Sequence, residues 1–128
     1  MAITKTPTTL VNNQTIAAGS SYTSTVILDL AGAIDFSLGY KMSFNASSPS
    51  GATIYLFADP TGANASFAPG SYDDPADSID VAVDAGHTVN GLGQISRSGR
   101  YVTVKVVNNS SGYSITGVSV YGIVQAQS

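Results

Sequence analysis

Apolar and polar residues alternate with a period of two in many short stretches of the chain. In residues 38–45, Leu38, Tyr40, Met42 and Phe44 alternate with small or polar residues. Successive side chains of a β-strand point to opposite faces, so this pattern predicts a strand with one face in a core. Similar stretches predict strands at 24–30, 52–59, 79–84, 101–107 and 113–125, with weaker ones at 8–11 and 88–95.

Turn residues separate these stretches. Examples are Asp59-Pro60-Thr61-Gly62 and Pro69-Gly70. No window carries the apolar spacing of an amphipathic helix. About eight short strands with turns between them predict an all-β chain, a single β-sandwich or jelly roll of antiparallel strands.

The first residues follow a different pattern. The segment ITKTPTTLVNNQT is rich in Thr and contains Pro7. We interpret residues 1–14 as an extended N-terminal arm that adds a strand to a neighbouring molecule, and residues 15–128 as the β-sandwich domain. A frayed terminus is the alternative.

Two predicted strands carry apolar residues on both faces. Tyr55 and Phe57 alternate with core residues in one strand, and Tyr121 and Ile123 do so in the last strand. A second apolar face is exposed in a monomer unless something covers it, and such a patch usually marks an interface. These four residues are therefore the predicted subunit interface. Cover by a loop, such as residues 63–75, is the alternative.

The chain carries few charges. Only 10% of the residues are Asp, Glu, Lys or Arg, against about 25% in typical soluble domains. The net charge is −3 and the five basic residues are scattered. Nucleic-acid binding needs clustered Lys and Arg, so we expect no nucleic-acid partner.

The composition also limits location and chemistry. The absence of cysteine excludes disulfides, thiolate zinc sites and cysteine nucleophiles. Residues 1–5 lack the apolar segment of about 7–15 residues that a secretory signal has. No apolar run approaches the ~20 residues of a membrane helix. We therefore expect a protein made without a standard leader, or one that has lost it, and no membrane partner.

The sequence gives little evidence for a set of catalytic residues. The single histidine, His87, lies in a turn sequence, and no serine stands in a G-x-S-x-G elbow. Asp73 and Asp74 are adjacent, and neighbours on a strand point to opposite faces, so they do not form a glycosidase pair. We therefore expect no enzymatic activity and no cofactor.

Among functional interpretations of the acidic residues, calcium binding is stronger than catalysis. Six of the eight carboxylates lie between residues 59 and 84, and calcium takes six to eight oxygen ligands. The spacing matches no EF-hand loop, however, and Asp80 and Asp84 are about 13 Å apart on one strand. We rank turn-forming carboxylates above a metal site, with Asp77 and Ser78 starting a strand. Asp73, Asp74 and Asp77 remain the weak metal candidates.

The composition leaves sugar binding as a possible function. The chain has seven tyrosines and no tryptophan, and a tyrosine ring is a platform on which a sugar stacks. Tyrosine on a β-face more often packs with its hydroxyl at the rim. The seven candidates are Tyr22, Tyr40, Tyr55, Tyr72, Tyr101, Tyr113 and Tyr121.

Three stretches carry a family resemblance. TIAAGSSYTSTVILDLAGA, residues 15–33, is followed by GATIYLF, residues 51–57, and late in the chain by GRYVTVKVVNN, residues 99–109. Together they resemble small β-sandwich virion proteins of tailed bacteriophages. The resemblance covers most of the chain and carries no catalytic or ligand motif. It implies a virion structural protein, such as a capsid decoration protein, often trimeric, or part of a tail or fibre.

These observations leave three candidate functions. The first is a non-enzymatic structural virion protein, a homo-oligomer with a trimer favoured. It would assemble in the host cytoplasm and dock on a major capsid or tail protein. The alternative is a receptor- or glycan-binding module of a tail fibre or cell surface, with a host surface glycan as partner. A small hydrolase ranks last.

Overall fold

The computed structural model describes residues 3–70, 73–95 and 99–127. These residues form β-strands and irregular connections, and none belongs to a helix long and apolar enough to cross a membrane. The strands are β1 Ile3–Ile16, β2 Ser21–Thr23, β3 Leu28–Asp29, β4 Ala33–Phe44, β5 Ala52–Ala58, β6 Asp77–Val81, β7 Thr88–Gln94, β8 Tyr101–Asn108 and β9 Ile115–Gln127.

The strands form two antiparallel sheets. The front sheet has the order β1-β9-β4-β7. The back sheet has the order β2-β8-β5-β6, and β3 also pairs with β8. β2 and β3 are therefore two parts of one interrupted edge strand, which gives two four-stranded layers. This arrangement confirms the predicted all-β sandwich of jelly-roll type.

The core lies between the inner faces of the two sheets. β-branched and other aliphatic residues supply most of it, because they fit a pleated surface that is buried on one side. The largest fully buried side chains are Val11, Phe36, Leu38, Met42, Ile54, Leu56, Val102, Val104, Val106, Ile115, Val118 and Val120.

Contacts between the sheets close both sides of the sandwich. On one side, the Ser24 hydroxyl beyond β2 donates to the Leu10 carbonyl of β1. On the other side, Ile79 of β6 occupies the space that a side chain on Gly93 of β7 would take. The two sheets therefore contact each other at both pairs of edges as well as through the core.

The N-terminal segment is a long edge strand. β1 pairs with β9 over its length, with irregularities between Thr9 and Ile16. Leu10, Val11 and Ile16 are buried, whereas residues 4–7 are exposed. The predicted boundary at residue 14 falls inside β1, and residues 1 and 2 of the predicted arm lie outside the described residues. Exchange of this segment with a neighbouring molecule stays a prediction.

The strand predicted at 24–30 is wrong as a continuous element. Residues 24–27 leave the sheet between β2 and β3, and Val26 is exposed instead of sharing a buried face with Leu28. The hydroxyl of Thr103 donates to the carbonyls of Ser24 and Val26, and the Val26 N–H donates to the Ser24 hydroxyl. Side-chain hydroxyls thus replace the backbone ladder at this point.

Candidate contact surface

The four predicted interface residues lie on the outer faces of opposite sheets. In the front sheet, Tyr121 and Ile123 alternate with the buried Val120 of β9 and therefore point outward. In the back sheet, Tyr55 and Phe57 alternate with buried residues of β5 in the same way. The sequence predicted one interface, and the structure provides two separate surfaces.

The front sheet carries the apolar surface. The register aligns Thr9, Tyr121, Gly39 and Leu92 in one row across all four strands. The next row aligns Pro7, Ile123, Ser37 and Gln94. Leu92 is 67% exposed. We call Pro7, Leu92, Tyr121 and Ile123 the apolar patch.

Gly39 lies beneath this patch. Tyr121 Cδ2 and Ile123 Cδ1 are each 3.8 Å from the position that a Cβ on Gly39 would take. Both side chains therefore lie against the sheet above Gly39, and together they form a flat apolar surface. A recess of about 100 Å³ next to Ile123 and Leu92 has polar walls formed by Lys5, Asp35, Gln94 and Gln125. An apolar centre with a polar rim is the usual anatomy of a protein interface.

The back sheet offers less apolar surface. Phe57 is only 7% exposed although it lies on the outer face, and its register partner Thr103 is fully buried. Phe67, in the connection from β5 to β6, is also buried, and neither phenylalanine belongs to the central core cluster. The chain itself therefore covers Phe57, which favours loop cover at this residue. Tyr55 is half-buried and aligned with Lys105.

Asp59 organises the start of the same connection. Its carboxylate is buried and accepts hydrogen bonds from the Thr61 hydroxyl (2.7 Å) and the backbone N–H groups of Ala63 (3.1 Å) and Asn64 (2.8 Å). These donors favour the charged form and hold the pKa of Asp59 below its usual value, the Thr61 hydroxyl contributing most. The Asp59 carboxylate therefore accepts hydrogen bonds from its own loop, which it helps to hold in place.

We expect Asp59→Asn to lower the stability near neutral pH, because the amide lacks the negative charge that strengthens these bonds and places an NH2 group opposite the Thr61 N–H, which donates to Oδ1 (3.3 Å). The folded pKa of Asp59 lies below the unfolded value of about 3.9, so the wild-type advantage is present above that pH. It disappears as the pH falls through the lower folded pKa. Thermal unfolding of both proteins at a series of pH values measures this difference. A difference that stays constant below about pH 4 would contradict the assignment.

Two of the three weak metal candidates, Asp73 and Asp77, have local roles in the chain. Asp73 accepts a hydrogen bond from the Gly70 N–H (2.6 Å), and Asp77 accepts one from the Ser78 N–H (2.8 Å) at the start of β6. Asp74 is exposed. Within the described part of the chain, no group of three or more His, Cys, Asp or Glu side chains is placed to hold a metal ion. The predicted strand start at Asp77 and Ser78 is confirmed.

His87 lies in the turn between β6 and β7. Its Nδ1 is 2.8 Å from Asp84 Oδ1, and the two side chains are 71% and 60% exposed. The backbone carbonyl of His87 accepts the Phe44 N–H. The His87–Asp84 pair is therefore exposed to solvent on a turn. The absence of enzymatic activity stays a prediction.

Sequence reasoning missed part of the apolar patch. Leu92 lies between two glycines in a stretch that predicts a strand only weakly, and the sequence places Pro7 in an arm rather than in a sheet. The alternation in residues 88–95 contained the signal for Leu92, since it places Asn90, Leu92 and Gln94 on one face. Only the strand order shows that this face continues that of Tyr121.

Comparison with known proteins supports the fold. No protein-family profile matches the chain, and no curated protein sequence matches it. The PBSX exported protein XepA has a similar structure, with a TM-score of 0.59, 17% identity, and coverage of 96% of this chain. This chain spans 38% of the length of XepA.

Two further solved structures are more distant. One is a protein of the Bacillus endospore appendages, a family of disulfide-linked pili, with a TM-score of 0.48 and 13% identity over 98% of this chain and 89% of that one. The other belongs to the T13 viral particle of IBDV, with a TM-score of 0.48 and 13% identity over 95% of this chain and 31% of that one. The likeness to XepA concerns the fold alone, and it agrees with the sandwich described above.

Proposed function

We propose that the chain is a non-enzymatic structural virion protein of the tailed-phage type. It assembles in the host cytoplasm, self-associates with a trimer favoured, and docks on a capsid or tail protein. The observation that carries this proposal is the apolar patch, which stands open on the front sheet with Leu92 67% exposed. A contiguous apolar surface with a polar rim favours a protein partner.

The jelly-roll sandwich and the sequence resemblance support the same role. The resemblance to small virion proteins covers most of the chain, and the fold likeness to XepA covers 96% of it. The short polar side chains beside the patch, such as exposed Thr9 and half-buried Ser37, lose little entropy when a contact orders them. Such a surface suits tight contacts that repeat over a particle.

The size of the front face indicates that several copies act together. Five outward rows from Asp35 to Ser43 and four strands give a face of roughly 19 Å by 26 Å, or about 500 Å². A stable interface buries about 800 Å² per partner. One face alone therefore gives a weak contact, and several copies joined in an oligomer gain avidity.

We expect the double variant Leu92→Ser with Ile123→Ser to lose particle binding. Removing two aliphatic side chains from a contact costs on the order of 3 kcal/mol, so bound protein should fall by at least about tenfold. Co-sedimentation with purified virions measures binding, and size-exclusion chromatography with light scattering measures the oligomeric state.

The control is Val26→Ser. Val26 is also an exposed aliphatic residue, but it lies in the interrupted edge of the back sheet. This variant should bind and assemble as the wild type does. If the double variant keeps its thermal stability and still binds virions like the control, the proposed docking face is wrong.

The alternative function is a receptor- or glycan-binding module of a tail fibre or a cell surface. A neutral pocket beside Tyr113 is the observation that favours it. This pocket lies at one end of the sandwich, away from the apolar patch, so the two functions are separable by mutation.

A further inference from the structure

Tyr113 differs in its surroundings from the other described tyrosines. It is 37% exposed and lies in the connection between β8 and β9. Tyr55 lies on the outer face of a sheet, and Tyr72 lies outside the described residues. The remaining four tyrosine rings contact other parts of the chain. Tyr22 and Tyr40 pack against the core. The Arg100 guanidinium lies 4.8 Å from the centre of the Tyr101 ring, and Tyr121 lies against Gly39.

A concave site adjoins Tyr113. It has a volume of about 320 Å³ and lies between the end of β4, the β8–β9 connection and the start of β9. The lining consists of Phe44, Asn45, Gly112, Tyr113, Ser114 and Thr116, none of which carries a charge at neutral pH. Binding pockets for small molecules begin at about 300 Å³, so the space suits one sugar ring rather than a long chain.

The chemistry of the walls fits a neutral hydroxylated ligand. The Tyr113 side chain, which is exposed, supplies apolar contact for the C–H face of a sugar, while the Phe44 side chain packs in the core behind the pocket. The hydroxyls of Ser114 and Thr116 donate and accept, and the Asn45 amide can do both. The Ser47 N–H donates to Asn45 Oδ1 (2.9 Å), which holds this amide in place.

The fold holds the Tyr113 wall before any ligand arrives. Asn108 Nδ2 donates to the Tyr113 carbonyl (2.7 Å) and to the Ile16 carbonyl (3.2 Å). Asn108 Oδ1 accepts the Ser110 N–H (3.0 Å). The β8–β9 connection is therefore fixed by a buried side chain, and a preformed site loses less entropy on binding.

We infer that this pocket binds one ring of a neutral saccharide, such as a terminal hexose of a surface glycan. The inference is independent of the assembly role, because none of the pocket residues belongs to the apolar patch. A hexose has about 12 non-hydrogen atoms, and at the binding energy per atom of ordinary small ligands it should bind with a dissociation constant on the order of 1 mM.

Titration of the full chain, followed by ¹⁵N–¹H NMR, tests this inference. The probes are glucose, galactose, mannose and N-acetylglucosamine, with N-acetylneuraminic acid as the charged comparison. Each is raised to about 50 mM, well above the expected constant. At least one neutral sugar should shift the amide signals of residues 112–116 and Asn45 in a saturable manner.

Tyr113→Ala should weaken this binding by about tenfold, and Thr116→Val should weaken it as well. The bond from Asn108 reaches the backbone carbonyl of Tyr113, so truncating the side chain leaves the connection fixed. Tyr113→Phe keeps the ring and should bind within about twofold of the wild type. The double variant of Leu92 and Ile123 should bind the sugar normally, which separates this site from the docking face.

Each of three outcomes overturns the inference. The first is the absence of saturable shifts at the pocket with every neutral sugar. The second is shifts that persist unchanged in a folded Tyr113→Ala protein. The third is a preference for N-acetylneuraminic acid over all neutral sugars, since the lining offers no positive charge to a carboxylate.

Discussion

Gly51→Ala should destabilise the protein by at least about 3 kcal/mol, the upper end of what overpacking costs. A Cβ on Gly51 would lie 1.9 Å from the backbone carbonyl oxygen of Val81. The chain cannot yield easily at this place. The Gly51 carbonyl accepts the Asn109 N–H, and the next residue, Ala52, pairs with Val81 itself. Relief of the overlap therefore requires separating β5 from β6.

Thermal and urea unfolding measure this effect. A loss of about 3 kcal/mol lowers the melting temperature by roughly 10 °C in a chain of this size. It is also a large part of the 5–15 kcal/mol that stabilises a typical domain. We expect Gly51→Ala to fold at low temperature. If the loss of stability exceeds the free energy of unfolding of the wild type, the variant does not fold.

Gly112→Ala is the matched control. No atom lies within 4 Å of the position that its Cβ would take, and its φ lies outside the left-handed region. The added methyl group should leave the stability unchanged or raise it by up to about 1 kcal/mol, since alanine has fewer unfolded conformations than glycine. If Gly51→Ala is as stable as this control, β5 and β6 are not packed as described.

Alternation predicted the strands well because most of them have one face in the core. The observed β4, β5, β7, β8 and β9 contain or closely match the predicted stretches. In β9, Val118 and Val120 point inward while Tyr121 and Ile123 point outward, as the sequence indicates. Period-two patterning responds to burial on one side, and a two-layer sandwich imposes that burial on most of its strands.

The errors occur where long-range contacts override the local pattern. The sequence predicts a strand over 79–84, yet β6 ends at Val81 because its partner β5 begins at Ala52. The stretch 24–30 is interrupted because Ser24 bonds to Leu10 and Thr103. These partners are distant in sequence, so no local window contains the information.

The candidate surface shows the same limit. Alternation shows which residues share a face of one strand, and it identified Tyr121 and Ile123 as a second apolar face. It does not show which strands are neighbours, so it combined Tyr55 and Phe57 with them although they lie on the opposite sheet. The addition of Leu92 to the patch likewise depends on the pairing of β4 with β7.

Asn108→Asp should destabilise the protein strongly near neutral pH, by about 3 kcal/mol or more. Asn108 is 2% exposed, and its Nδ2 donates to the carbonyls of Ile16, Ala17 and Tyr113. The change replaces this donor by a charged acceptor that faces three carbonyl oxygens. The end of β8 would therefore lose its bonds both to β1 and to the Tyr113 wall of the pocket.

The pH dependence of Asn108→Asp distinguishes this mechanism from loss of packing. Burial among acceptors would raise the folded pKa of the new carboxyl above its unfolded value of about 3.9. The variant should therefore lose stability as the pH rises from about 4 through the folded pKa, and regain it on acidification, when the protonated carboxyl can donate to one carbonyl.

Asn12→Asp makes the same change of charge at an exposed position and should cost less than about 0.5 kcal/mol at any pH. The stability of Asn108→Asp is measured against it from about pH 7 to about pH 4, so that the acid sensitivity common to both chains cancels. A deficit independent of pH would mean that the new carboxylate reaches solvent. In that case Asn108 would not be the buried bridge between β1, β8 and the β8–β9 connection, and the preformed wall of the pocket would lose its physical basis.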